Sequence, residues 1–141
     1  MKHQLSAEDR SFRADFEACA VSPDTFGHRA HVRLAYTYLA ENDADTATTL
    51  MRTALLAFLR HHGIDMTKYH ETMTRAWILA VRHFMEISSS SSSADAFIAG
   101  NPILLDGRIM LTHYSADLLF SQEARARFVE PDVDPIPRHE P

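Results

Sequence analysis

A chain of 141 residues, 45% of them hydrophobic, is long enough to close one core and has the size of a single compact domain. Its formal net charge of −5 opposes binding to nucleic acid, which needs a basic patch to displace counterions, and to an anionic membrane surface. The only cysteine, Cys19, excludes an internal disulfide and a multi-cysteine zinc cluster, and it suits a reducing, cytoplasmic setting. No signal-like apolar stretch opens the sequence and no segment has the uninterrupted apolar length of a membrane span. The remaining partners are a small-molecule substrate, another protein or a second copy of the chain in a homo-oligomer.

In chain order, Ser6 with Asp9 three residues later reads as a capping box. Leu5, Phe12, Phe16 and Cys19 then share one side of a first helix near 7–20. Ser22-Pro-Asp-Thr supplies cap residues and a first-turn proline. The segment bearing His28 and His31 is expected to start shortly before them and run to about Glu41. Asn42 to Asp45 is a turn; a third helix follows through Leu50, Met51, Ala54, Leu55 and Phe58 until Gly63 closes it. Asp65 or Thr67 caps a fourth helix that carries His70 in its first turn and ends near Ile87.

Ser88 to Ser93 is an unbroken serine run, unable to bury apolar area, and reads as a flexible, solvated connector. Beyond it come a helical turn at 94–99, a helix from Asn101-Pro102 to about Thr112, and caps at Ser115 and Ser121. From Glu130 to Pro141 the chain is acidic and proline-rich, and is expected to drape in extended form over the bundle. With no alternating strand pattern, phosphate loop or repeat, the prediction is all-α. One domain, 1–141, comprises a bundle of four longer helices, short C-terminal helices and a tail.

Histidine carries the chemistry. At about 100° per residue, His28 and His31 share a stripe with Val32, Ala35, Tyr38 and Leu39, opposite Arg29, Arg33 and Thr37. His70 lines up with Met73, Thr74, Trp77, Val81 and Phe84, opposite Arg75, Leu79, Arg82 and Glu86. Burying three imidazoles is unfavourable unless each nitrogen finds a partner, and one metal ion satisfies several at once. His28 and His31 are neighbours on a helix surface, and His70 can approach from a facing helix. Three neutral imidazoles leave a tetrahedral ion one open position, as in catalytic zinc sites. The expected cofactor is a divalent metal, zinc first, with iron, copper, manganese or nickel also suited to imidazole.

Around that ion, Glu71 is the nearest candidate general base, although it lies about 100° round the helix from His70. Thr74, one turn after His70, is better placed to orient water or a substrate oxygen. Tyr69 borders the site, and His113, beside Tyr114, is a reserve fourth ligand or acid–base group. The bland alternative makes the histidines core hydrogen-bonders to hydroxyls such as those of Tyr38, Tyr69 or Tyr114. His61 and His62, in the last turn of the third helix, suit the helix dipole. The arginines at 29, 33, 75 and 82 read as solvated charges, Trp77, Phe84 and Phe58 as core, Met73 as packing, and Cys19 as a small buried hydrophobe.

The segments Phe26-Gly-His-Arg-Ala-His-Val-Arg-Leu-Ala, Lys68-Tyr-His-Glu-Thr-Met-Thr-Arg-Ala-Trp and Ser121-Gln-Glu-Ala-Arg-Ala-Arg-Phe-Val-Glu-Pro-Asp together resemble a group of uncharacterised small bacterial helical proteins. The resemblance runs from about Phe26 to Pro137. It implies a shared helical fold and a bacterial source, and it transfers no catalytic residue. A looser likeness is to three-histidine metal proteins of the DinB type, whose His-x-x-x-His pair lies on a late helix. Here a His-x-x-His pair lies on an early one, so the analogy says only that a small bundle can hold such an ion.

Two functions follow. One is a metal-dependent enzyme acting on a small molecule through His28, His31 and His70, with hydrolysis or lyase chemistry first and oxidative chemistry second. The other is a non-catalytic helical module that binds a partner or an apolar ligand.

Overall fold

The computed structural model describes residues 2–139; Met1, Glu140 and Pro141, included in the predicted domain and tail, lie outside them. Seven α-helices are present among these residues: α1 (Ala7–Glu17), α2 (His28–Leu39), α3 (Ala44–His61), α4 (Glu71–Ile87), α5 (Ala94–Gly100), α6 (Ala116–Leu119) and α7 (Gln122–Ala126). Tighter 3-10 turns occupy Pro23–Thr25, Met66–Lys68, Pro102–Leu105 and Gly107–Thr112. No strand forms among the described residues, only one isolated bridge between His3 and Ser91. The all-α expectation holds, and no described helix is long and apolar enough to cross a membrane.

The local signals work where a side chain can satisfy the first free N–H groups of a helix. Ser6 and Asp9 form the reciprocal capping box of α1, and Asp43, Ser93, Ser115 and Ser121 each accept from the first turn of α3, α5, α6 and α7. Gly63 takes the left-handed conformation, φ +65°, just past α3, a backbone state that favours glycine. Cys19 has a similar φ of 59° and is only partly buried, its Sγ facing the Ala57 carbonyl. It is therefore a turn residue after α1, which ends at Glu17 rather than near Ala20.

Four other boundaries differ from expectation. The Ser22–Pro23 signal starts a single 3-10 turn, not the histidine helix, which opens at His28 behind Gly27 and stops at Leu39. Asp65 likewise caps the Met66–Lys68 turn, which leaves His70 as the N-cap of α4 in extended conformation. The expected helix from Pro102 to Thr112 is broken at Asp106 into two 3-10 segments. The serine run is engaged by its neighbours rather than wholly solvated: Ser88 donates to the Phe84 carbonyl, Ser91 meets both His3 Nδ1 and Tyr36 OH at 2.7 Å, and Ser93 caps α5.

Helices α2, α3 and α4 pack against one another in pairs, with α1 against α2 and α3, α5 against α2 and α7 against α4. α2 is thus surrounded. Leu34, Tyr36 and Thr37 are buried as fully as the predicted stripe of Val32, Ala35 and Tyr38, so its apolar face is not confined to one side. Thr37, placed outward by periodicity, gives its hydroxyl to the Leu34 carbonyl at 2.7 Å, and Leu79 on α4 is buried too. Arg33 and Arg75, expected to be solvated, instead pair with Asp9 and Asp45.

The segment after α7 lies irregularly over the bundle, as expected of its prolines. Val129 and Ile136 are buried, and the Tyr114 hydroxyl donates to the Val129 carbonyl at 2.7 Å. Farther along, His83 Nδ1 and His139 Nε2 lie 2.9 Å apart with stacked rings, fixing the tail to α4.

Candidate functional site

The three histidines singled out by their spacing fall in three different environments. His28 opens α2, its Nε2 donating to the Leu104 carbonyl at 2.9 Å and its ring lying edge-on to Trp77 at 4.7 Å. A carbonyl only accepts, so Nε2 of His28 carries the proton. His70, as N-cap of α4, accepts the Met73 N–H on Nδ1 at 3.1 Å and donates from Nε2 to the Leu119 carbonyl at 2.7 Å. Both its nitrogens are occupied. Burial pushes its pKa down, with the nearby Arg125 charge acting in the same direction and the Leu119 carbonyl opposing it.

His31, one turn after His28, stacks on Phe26 with ring centroids 5.6 Å apart. Its Nε2 is sealed from solvent and has no hydrogen-bond partner. Burial, reinforced by His28, drives its pKa down to about 4, so the ring is neutral near pH 7.

Metal ligation requires an imidazole lone pair, and His70 has none to spare. His28 has committed its Nε2 as a donor. Among the described residues, no group of three or more His, Cys, Asp and Glu side chains is disposed to hold a metal ion. The three-imidazole site is therefore not preassembled: these residues do not fit a common ion as they stand.

The expected acid–base groups are committed as well. Glu71 is gripped by Arg52 through both oxygens, at 2.8 and 2.5 Å, and accepts the Tyr69 hydroxyl at 2.6 Å. The Arg52 contact holds its carboxyl below the usual carboxylate range, which weakens it as a base. Tyr69 is pushed up to about 12, by burial first and then by its bond to Glu71. Thr74 donates to the His70 carbonyl at 2.9 Å, closing the first turn of α4. His113 serves the tail: Nδ1 donates to the Asp134 carbonyl at 2.7 Å, and its own carbonyl accepts from Val133 and Asp134.

What the fold does bring together is an open cleft of about 240 Å³ where α2, α3 and the start of α4 meet. Phe26, Leu55, Phe58, Leu59 and Met73 form its apolar walls, with His31, Tyr69, His70 and Thr74 among them and Lys68 at the edge. His31 and His70 thus share one cavity, and His28 does not line it. Phe26 and Phe58, with centroids 5.4 Å apart, join Phe16 in a three-ring cluster behind the cleft.

Sequence reasoning missed Phe26 as a cleft wall, because it precedes α2 and belongs to no periodic stripe. It also missed His3, which is 6% exposed and bonds the Met85 carbonyl, since no helical pattern surrounds it. His62, expected to serve the helix end, is indeed the C-cap residue of α3, but its Nε2 is buried without a partner beside Phe58. The hydroxyls of Tyr38, Tyr69 and Tyr114 go to Glu17, Glu71 and the Val129 carbonyl, not to histidine. His28 and His70 use main-chain carbonyls instead.

No family model matches the chain, and neither a curated protein nor a solved structure matches it.

Proposed function

We propose that the protein is a helical binding module for a small, mainly apolar molecule that seats between α2, α3 and α4 and carries one polar group to His31. The observation that carries this reading is the buried, unpartnered Nε2 of His31, a residue on the wall of a mainly apolar cleft. A buried polar atom without a partner costs roughly 1–3 kcal/mol, and a ligand hydroxyl or carbonyl recovers that energy on binding. Apolar clefts with a few placed polar groups are the usual form of small-molecule sites. His28 and His70 act here as core hydrogen-bonders, fixing the wall in which His31 stands. A metal-dependent enzyme built on His28, His31 and His70 requires His70 to release Met73 or Leu119 first; the binding reading requires only a local movement of the cleft wall that uncovers the His31 Nε2.

Phenol and toluene, equal in size and differing in one hydroxyl, test it. Titration followed by NMR of the Met73 methyl and the His31 ring is expected to show phenol binding about tenfold tighter, a difference of about 1.4 kcal/mol. In His31→Leu protein the preference reverses. Failure of both molecules to shift these resonances overturns the reading.

A further inference from the structure

From the charges at the mouth of this cleft we infer that its ligand is an anion, an apolar or aromatic monocarboxylate whose body enters between Phe26, Leu55 and Met73 and whose carboxylate stays at the rim. The inference rests on the binding role proposed above and adds the ligand's charge.

Its basis is an imbalance. The chain carries a net charge of −5, and most of its arginines are matched to carboxylates: Arg52 to Glu71, Arg75 to Asp45 and Arg82 to Glu86, for example. At this mouth the pattern changes. Lys68 borders the cleft, and neither it nor Arg125 has an ion-pair partner among the described residues. Arg125 donates to the Thr67 carbonyl at 3.2 Å, next to Lys68 in sequence, and its charge is felt at His70 on the cleft wall. One cation therefore borders the mainly apolar opening, and a second lies close by, bonded to the residue before it.

The nearby carboxylates are otherwise engaged. Asp65 caps the Met66–Lys68 turn through Thr67 N–H and lies within electrostatic reach of Lys68 without pairing to it. Glu71 is neutralised by Arg52. A carboxylate at this rim keeps water on its outer side, so its desolvation cost is small. It also gains from both cations, while the apolar walls take the ring. A neutral ligand leaves the cations unused, and a cation is repelled.

Phenol and 4-hydroxybenzoate share ring and hydroxyl, and at pH 7 the second adds an ionised carboxylate. At low ionic strength, 4-hydroxybenzoate is expected to bind about five- to tenfold tighter than phenol, from two exposed charge contacts. The advantage shrinks in 0.5 M NaCl, where screening shortens to a few ångströms, on the order of 4 Å. It also shrinks, read as the ratio of 4-hydroxybenzoate to phenol affinity, in Lys68→Gln and Arg125→Gln proteins. Both residues are exposed, and melting temperature checks that the variants fold. If phenol binds and 4-hydroxybenzoate binds no tighter, the charge inference falls and the binding role stands. If neither binds, both fall. An advantage that persists in the Lys68→Gln, Arg125→Gln double variant also overturns the inference.

Discussion

Asp9 on α1 receives Nε of Arg33 on α2 at 3.1 Å, although the Asp9 side chain is only 1% exposed. Its other oxygen accepts the main-chain N–H of Ser6 at 3.1 Å and of Ala94 at 2.9 Å. One carboxylate thus joins the starts of α1 and α5 to the central helix. Burial works to raise its pKa, and the N–H groups of Ala94 and Ser6, with Arg33, outweigh it and hold the value below the ordinary range.

Asp9→Ala is expected to cost about 1–3 kcal/mol of stability, the range for leaving a buried donor such as the Ala94 N–H unsatisfied, with the partly exposed Arg33 left to solvent; urea unfolding reads it. Because the folded pKa is lowered, the contribution of Asp9 is complete above the unfolded value of 3.8 and is lost as pH falls below it. Arg33→Ala removes one of the groups that hold the folded pKa down, so that pKa rises and the share of acid-induced stability loss due to Asp9 shrinks. An Asp9→Ala protein as stable as the parent contradicts the assignment.

A second prediction concerns pH and His31. The unfolded ring binds a proton near pH 6.5, the folded ring only near pH 4. Unfolded chains therefore take up the proton first, and this part of stability is full above pH 6.5 and drains as pH falls toward 4. The loss amounts to about 3 kcal/mol at most. His31→Leu flattens that limb of the stability–pH profile without abolishing it, because burial also lowers the pKa values of His70 and His83. An unchanged profile in His31→Leu protein contradicts the sealed environment of this ring.

His70 supplies a third. As N-cap it accepts the Met73 N–H, a role asparagine can fill and alanine cannot. His70→Ala is expected to lose about 1 kcal/mol more than His70→Asn, measured as a difference in urea midpoint. Element analysis of the parent is expected to find no stoichiometric metal, and chelator to leave its melting temperature unchanged. Stoichiometric metal that disappears in both His28→Ala and His70→Ala proteins reinstates the three-histidine enzyme.

Much of the framework was legible residue by residue. Ser6 with Asp9, Gly63, Ser115 and Ser121 mark helix ends through contacts spanning at most a few positions. The inward stripe of Val32, Ala35 and Tyr38 was equally plain. Less legible was which signal starts which element: Pro23 and Asp65 each begin a separate 3-10 turn. A three-residue turn satisfies the same cap as a long helix.

By itself, then, the amino-acid order determined that this protein is helical, where most of its helices end and that histidines at 28, 31 and 70 are drawn toward its interior, because capping and periodicity act over one or two turns. Only the tertiary structure decided what those histidines do. The carbonyl that takes His28 lies 76 residues away and the one that takes His70 lies 49 away, so no local spacing could reveal that their nitrogens are committed. The same long-range packing placed His31 on the wall of a mainly apolar cleft and left its buried Nε2 without a partner.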